Sequence, residues 1–130
     1  MFKPQDHSNS SKSNKISSVE LSLKENSLAS GAAWMKGKII PLSEASMPVN
    51  DWGLVRSDIT YDVVPVINGA FFRLSDYIER FQASMKALKL KPQVNKEEIE
   101  NALLGMVAAS GLRHSYVTMV CSRGIPAIPG

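Results

Sequence analysis

The stretch from Asp51 to Phe81, DWGLVRSDITYDVVPVINGAFFRLSDYIERF, constrains the fold more than any other part of the chain. Residues 60–67 alternate β-branched, aromatic and small polar side chains, and this period of two predicts a strand. Asn68-Gly69 follows directly, and this pair favours a type I′ turn because both central residues need positive φ. Residues 70–73 are therefore predicted to return antiparallel to the first strand.

A helix is predicted after this hairpin. Apolar residues recur at spacings of three and four from Leu74 to Leu88, which is the pattern of an amphipathic helix. Ser75 is a suitable N-cap residue, so the helix is expected over residues 76–88. Lys91-Pro92 then interrupts the helical pattern.

The remaining segments complete an α+β domain. Residues 32–41, AAWMKGKIIP, predict a short hairpin that turns at Gly37. Asn95 with Glu98 has the spacing of a capping box, and Gly111 is a suitable C-cap for the helix between them. Residues 116–122 predict a last strand. Two helices packed on an antiparallel sheet form a two-layer α+β domain.

Composition limits the classes of function. The 130 residues include 15 basic and 12 acidic side chains without a basic block, which gives little support for nucleic-acid binding. No apolar run is long enough to span a membrane, and a single cysteine fits a reducing compartment, so a cytoplasmic protein is predicted. Residues 1–30 are rich in Ser, Asn and Lys and are expected to form a disordered leader before a folded domain at 31–130.

Two arginines are candidates for binding anions. Arg80 lies on the first predicted helix, and a guanidinium can donate two parallel hydrogen bonds to a phosphate. The alternative is an exposed pair between Arg80 and Asp76, one helical turn away. Arg56 precedes the first strand and is a candidate for a substrate carboxylate or for contact with an opposite subunit. Its alternative is a solvated pair with Asp58.

Strand alternation separates the other candidates into faces. Tyr61, Val63, Pro65 and Ile67 share one face of the first strand, and the residues between them share the other. Pro65 lacks an N–H, so this strand should lie at a sheet edge or turn that position away from a partner. Cys121 is predicted to be a small core residue, and His114 has no partner at a spacing that suits a metal.

Several motifs carry a resemblance to a known family. They are DWG at 51–53, RSDITYDVV at 56–64, NGAFFRLSDYIERF at 68–81, and SGLR with YVTMVCSRG between residues 110 and 124. The chain resembles the N-terminal part of the fold-type IV, pyridoxal-phosphate-dependent aminotransferases, which include the branched-chain and D-amino-acid aminotransferases. Within that class it is most similar to the subgroup of the (R)-selective amine transaminases.

The resemblance implies roles for individual residues. Arg80 would contact the phosphate of pyridoxal 5′-phosphate, and the pocket for the amino donor and the 2-oxo acid would include Arg56, Tyr61, Val63, Tyr116 and Thr118. It also implies a homodimer. The lysine that forms the Schiff base in this family lies beyond the region that the chain resembles, so no catalytic residue is assigned here and the chain alone is expected to be inactive. A truncated, non-catalytic binding or assembly domain, and a lyase of the same fold such as an aminodeoxychorismate lyase, remain alternatives.

Overall fold

The computed structural model describes residues 28–127 and, as backbone only, the strand at residues 2–4. Its strands are β1 (Phe2–Pro4), β2 (Ala32–Met35), β3 (Lys38–Pro41), β4 (Ile59–Ile67), β5 (Ala70–Phe71) and β6 (Ser115–Ser122). Its helices are α1 (Trp52–Val55), α2 (Leu74–Ala87) and α3 (Lys96–Ser110), with a short 3-10 turn at Leu42–Glu44.

The strands form an antiparallel sheet of four in the order β1-β6-β4-β5 and a separate β2–β3 hairpin. The longest pairing joins β4 to β6, from Ile59 opposite Ser122 to Val66 opposite Ser115. α2 and α3 cover one face of this sheet. The predicted two-layer α+β architecture is therefore confirmed.

The core lies between the helices and one face of the sheet. Val64 and Val66 of β4 and Val117 and Met119 of β6 are buried there, with Ile78 of α2 fully covered. Further buried side chains come from the same layer: Phe81, Met85, Leu90, Leu103, Met106, Val107 and Leu112. Even-numbered residues of β4 thus point inward, as the alternation predicted, and odd-numbered residues point outward.

Local turn and cap signals agree with the structure. Asn68 and Gly69 have φ values of 54° and 78°, the positive pair that a type I′ turn requires. The Asn95 side chain accepts a hydrogen bond from Glu98 N at 2.8 Å, and the Glu98 carboxylate accepts one from Asn95 N, so the predicted capping box is present. Gly111 ends α3 in the left-handed region with φ 68°.

The start of α2 differs from the prediction. The helix begins at Leu74, and its N-cap is Arg73, in the left-handed region with φ 51° and no side-chain cap bond. Ser75 is therefore not the cap; its hydroxyl instead accepts a hydrogen bond from Lys96 Nζ of α3 at 2.9 Å. Because the chain turns into the helix at Arg73, β5 is limited to two residues rather than the four predicted.

Pro65 lies where β4 has one neighbour. β5 pairs only with Val66 and Ile67, so within the described part of the chain the edge of β4 before these residues has no strand beside it. Pro65 O accepts a hydrogen bond from Phe72 N at 3.0 Å on the β5 side, and in an antiparallel strand the N of the same residue points the same way. The missing N–H thus falls beyond the end of the β5 ladder, as expected for a proline at a strand edge.

The N-terminal segment is described only at β1, which pairs antiparallel with β6 from Phe2 opposite Val117 to Pro4 opposite Ser115. The prediction of a disordered leader at 1–30 otherwise falls mostly outside the described residues, and the described chain continues from Leu28, which packs against the core. None of the helices in the described part of the chain has the length and apolar character needed to cross a membrane.

Candidate active site at the open edge of strand β4

Four of the candidate residues share the outward face of the sheet. The register sets Val63 opposite Thr118, Tyr61 opposite Val120 and Pro65 opposite Tyr116. Directly opposite residues of an antiparallel pair have neighbouring side chains on one face. Tyr61 is 67% exposed and Tyr116 is 38% exposed, so two aromatic rings border this surface. The structure therefore brings Tyr61 and Val63, which alternation had placed on one face, together with Tyr116 and Thr118, which only the resemblance had added to the pocket.

Beside this face lies the open edge of β4. A surface depression of about 410 Å³ is lined there by Tyr61, Asp62, Val63, Arg80 and Ser84. The backbone N–H and C=O groups of even-numbered residues of β4 point to β6, and those of odd-numbered residues point the other way. The backbone polar groups of Tyr61 and Val63 therefore face the depression. Strand and helix therefore meet at a concave surface that has both backbone and side-chain polar groups.

Arg80 is held in this depression by a buried carboxylate. Its Nε and Nη2 donate to Asp62 Oδ2 and Oδ1 at 2.8 and 2.6 Å, the fork geometry of a bidentate pair. Asp62 is 8% exposed, and it also accepts a hydrogen bond from Val63 N at 2.9 Å. The hydrogen bonds from Arg80 hold the pKa of Asp62 below its usual range, and the same pair raises the pKa of Arg80. Both groups are therefore charged at neutral pH.

The fork fixes the direction of a guanidinium that remains accessible. The Arg80 side chain is 65% exposed, and its charged group lies 4.9 Å from the centre of the Tyr77 ring. A guanidinium has five N–H donors, and the bonds to Asp62 use two of them. An anion can therefore bind to the remaining donors without breaking the pair.

The alternative prediction, an exposed pair between Arg80 and Asp76, is wrong. Asp76 binds Arg73 instead, with Arg73 Nη2 at 2.7 Å from Asp76 Oδ2 and both side chains more than half exposed. Because Arg73 begins α2 in the left-handed conformation, its side chain reaches the first-turn carboxylate of the same helix. Arg80 is thereby left to bind across to the sheet.

Arg56 also has a different partner from the one that the sequence suggested. Its guanidinium stacks on the Trp52 ring, 3.8 Å from the ring centre, at the C-terminal end of α1. It does not pair with Asp58, because the Asp58 carboxylate is bound by Arg123 Nε at 2.8 Å and Nη2 at 3.3 Å. Arg56 is exposed, and it precedes β4 instead of lying on the outward face with the tyrosines.

Arg123 is a residue whose role the sequence analysis missed. It follows β6, and besides its fork with Asp58 it donates to Leu88 O at 2.8 Å and Lys89 O at 3.0 Å, at the end of α2. Asp51 is the second such residue: its buried carboxylate accepts from Gly53 N at 2.7 Å and from the Ser122 hydroxyl at 3.0 Å. These contacts join the loop before β4 to the end of β6, and we call residues 51–58 with 122–124 the β4–β6 junction.

Asp62 could have been found from sequence. It lies on the same face of β4 as Val64 and Val66, and a carboxylate on a buried strand face needs a cationic partner. Arginine on the helix that follows the hairpin is the nearest candidate along the chain. The alternation that separated the faces therefore already indicated the partner of Arg80.

Cys121 is not activated as a nucleophile in this arrangement, and His114 lies away from the depression at Arg80. Cys121 is half-buried and packs against the core, and burial raises the pKa of its thiol, which is the opposite of nucleophile activation. His114 is exposed, and its Nδ1 lies 3.5 Å from Asn68 N near the hairpin turn.

Comparison with known proteins places this arrangement in a family. A sequence model described as Amino-transferase class IV matches residues 60–128. The D-alanine aminotransferase of Listeria monocytogenes is 29% identical over 87 residues, which are 67% of this chain and 30% of that protein. This chain therefore spans about a third of the length of such relatives.

Solved structures give the same result. The T.th. branched-chain amino acid aminotransferase, complexed with N-(5′-phosphopyridoxyl)-L-glutamate, is 27% identical with a TM-score of 0.70 over 76% of this chain and 35% of its own. The branched-chain aminotransferase of Thermoproteus uzoniensis is 26% identical, with a TM-score of 0.66 over 76% of this chain and 36% of its own. Because the family match runs from β4 through the end of β6 and covers more than half of the residues, this chain belongs to the class IV aminotransferases, the fold-type IV family of the branched-chain and D-amino-acid enzymes.

Proposed function

We propose that this chain forms the N-terminal part of a pyridoxal-phosphate-dependent transaminase, which moves an amino group between an amino acid or amine and a 2-oxo acid. The observation that carries the proposal is the Arg80–Asp62 fork at the open edge of β4, next to the outward face with Tyr61 and Val63. A fixed cation beside a face with two aromatic rings suits a flat ligand that carries a phosphate.

The donor set fits the cofactor phosphate. Arg80 offers its unused N–H groups, and the Ser84 hydroxyl lines the same depression of about 410 Å³. When bound, pyridoxal phosphate supplies an electron sink for the carbon that carries the amino group. The part of this chain is to hold the phosphate at Arg80, while Asp62 keeps the guanidinium charged and correctly oriented.

The substrate pocket is proposed to include the outward face and Arg56. Val63 and Thr118 lie opposite each other at its centre, with Tyr61 and Tyr116 beside them. Such a surface excludes water from an apolar substrate side chain and offers hydroxyl groups at its border. Arg56, stacked on Trp52, is proposed to meet a substrate carboxylate or the opposite subunit of a homodimer.

The catalytic lysine is proposed to lie outside this chain. Within residues 28–127, Lys36 and Lys38 flank the β2–β3 turn and the other lysines belong to the helical layer and its connections, so none is on the outward face of β4 or β6. A transaminase needs a lysine beside the cofactor to form the Schiff base and to move the proton. We also propose a homodimer in the cytoplasm, the location that a single cysteine favours.

Phosphate recognition can be tested with pyridoxamine 5′-phosphate, an amine that cannot form imines with surface lysines. Isothermal titration of the chain would compare this ligand with pyridoxamine, which lacks the phosphate. We expect Arg80→Ala to weaken binding of the phosphorylated ligand by about tenfold or more, because charge-assisted hydrogen bonds to the phosphate are lost. Binding of pyridoxamine should not change.

Lys86→Ala is the matched control, because Lys86 is an exposed cation on the same helix and lies away from the depression. We expect this variant to bind both ligands as the unchanged chain does. Equal affinity of Arg80→Ala and the unchanged chain for pyridoxamine 5′-phosphate would mean that Arg80 is only the ion-pair partner of Asp62.

Turnover gives a second test. We expect the purified 130-residue chain to show no transamination with D- or L-amino acids or with chiral amines as donors and 2-oxo acids as acceptors, because we propose that the Schiff-base lysine lies outside it. Formation of the new amino acid would be followed by chromatography over many hours. Steady turnover that survives further purification would contradict the assignment of the lysine to another part of the protein.

A further inference from the structure

A second concave region lies on the helix side of the sheet. This cavity, of about 240 Å³, opens between α2, α3 and β6, and we call it the helix-layer cavity. Its walls include Phe81 and Met85 of α2, Ala102 and Met106 of α3, and Met119 of β6, with Trp34 of the β2–β3 hairpin at its side. The lining also includes Thr118 and Val120 of β6, which lie opposite Val63 and Tyr61 in the sheet.

Part of the wall is made of core side chains. Phe81, Met85, Met106 and Met119 are each at most 5% exposed, so the space penetrates the core. An apolar cavity of about 150 Å³ is large enough to hold benzene and stays free of water. Three of the walls are methionines, whose flexible thioether chains adapt to the shape of a ligand.

Charge restricts the class of ligand. Of the residues that line the cavity, only Glu98 is charged at neutral pH, and its carboxylate already accepts a hydrogen bond in the capping box with Asn95. The lining contains no lysine or arginine, so an anionic substrate or cofactor has no counter-charge there. Transfer of a charged ligand into such an environment is costly, and transfer of an apolar one is favourable.

We propose that the helix-layer cavity binds a small, uncharged and mainly apolar molecule, of aromatic or branched aliphatic type. It is enclosed on the sides by two helices and a strand, which suits a compact molecule better than an extended peptide. Its lining includes Thr118 of the proposed substrate pocket but shares no residue with the depression at Arg80, so this binding site does not depend on the proposed binding of a phosphate at Arg80.

Indole is a suitable probe, and the methionines are suitable reporters. In the chain labelled with ¹³C at the methionine methyl groups, titration with indole should shift the signals of Met85, Met106 and Met119. Met35 and Met47 lie outside the cavity lining and should not move. The same spectra therefore contain the reporter and its internal control.

Ala102 allows the cavity to be filled. Ala102→Leu places additional methyl groups into the space, so we expect it to weaken indole binding by about tenfold or more and to raise the thermal midpoint. Ala109→Leu adds the same side chain at an exposed position of the same helix and should leave indole affinity unchanged. Ala102→Val fills less of the space and should weaken binding by a smaller factor, which keeps the test decisive if leucine disturbs packing.

Shifts confined to the three lining methionines, and lost in the filled variants, would support the proposal. Absence of shifts at millimolar indole, shifts that include Met47, or equal affinity of the Ala102 variants would overturn it. A cavity already occupied by another part of the protein would give the first of these results.

Discussion

Two arginine–aspartate pairs have their carboxylates in β4 and in the loop before it. The two arginines differ in how many of their N–H donors are already bonded to protein groups. The side chain of Arg123 in the β4–β6 junction donates four hydrogen bonds, two to the Asp58 carboxylate and two to carbonyls at the end of α2, and it is 32% exposed. Arg80 makes two, both to Asp62, and is 65% exposed. An arginine with its donors consumed joins elements together, whereas an oriented arginine with unused donors can bind a ligand.

The surroundings of the two forks differ in the same sense. Around Arg123, the junction is close-packed: Gly53 fits against Ser122, and Asp51 binds both. Around Arg80, β4 has an open edge and a depression. We infer that the junction fixes the position of β4, and that the Arg80–Asp62 pair at the open edge of β4 is thereby held in place. Three substitutions test this contrast.

The largest effect is expected from Gly53→Ala, which would break the junction. An added Cβ would lie 2.6 Å from Ser122 Cβ, an atom that cannot rotate away, and 3.0 Å from Asp51 Oδ1. We expect the free energy of unfolding to fall by about 2–3 kcal/mol, measured by urea denaturation with circular dichroism.

Gly105→Ala in α3 is the control for that substitution. Its added Cβ would contact only Ile39 Cδ1, at 3.5 Å, which is an ordinary distance. Since alanine favours helix over glycine, stability should stay the same or rise by up to about 1 kcal/mol. Equal losses in the two variants would mean that the junction is not more tightly packed than the helical layer.

A smaller loss is expected from Asp58→Ala, which removes the carboxylate of the junction fork. The change leaves the Arg123 guanidinium without its counter-charge, and we expect a loss of about 1.5–3 kcal/mol, the range for hydrogen bonds to charged groups. Asp76→Ala breaks the exposed pair with Arg73 and should cost no more than about 0.5 kcal/mol. Similar losses of stability in Asp58→Ala and Asp76→Ala would mean that the more buried pair stabilises the fold no more than the exposed pair does.

Of the three test substitutions, Asp62→Asn is expected to have the smallest effect, and this effect should depend on pH. Because Arg80 holds the pKa of Asp62 below its unfolded value, the ionised carboxylate stabilises the fold above about pH 3.9. That contribution is lost as the pH falls from this value through the lower pKa of the folded state. Denaturation at pH 7 should show the variant less stable by about 1 kcal/mol. The difference should shrink below about pH 3.9, and a difference independent of pH would contradict the role of the charge.

Local structure was predictable because its causes are local. The alternation in β4, the positive φ values at Asn68-Gly69, and the capping box of Asn95 with Glu98 all depend on residues a few positions apart. The same alternation grouped Tyr61 with Val63 on one face. The resemblance to a family then assigned Tyr116 and Thr118 to the same pocket, which alternation alone does not give.

Partners across the fold were not predictable in the same way. Proximity in sequence suggested Asp76 as the partner of Arg80 and Asp58 as the partner of Arg56. Arg80 instead pairs with Asp62, 18 residues away along the chain. Asp58 pairs with Arg123, which is 65 residues away. Packing of α2 on the sheet and the end of β6 beside the junction decide these pairs. A charge has several candidates along the chain, and the tertiary fold selects one.

The open edge of β4 also has a consequence for association between chains. A strand edge with free N–H groups is a template for pairing with another strand, and it promotes aggregation. Here the Val63 N–H is already bonded to Asp62, and Pro65 has no N–H to donate. An approaching strand therefore finds no regular ladder along residues 61–65. The edge can stay exposed to a small ligand while it resists a second polypeptide.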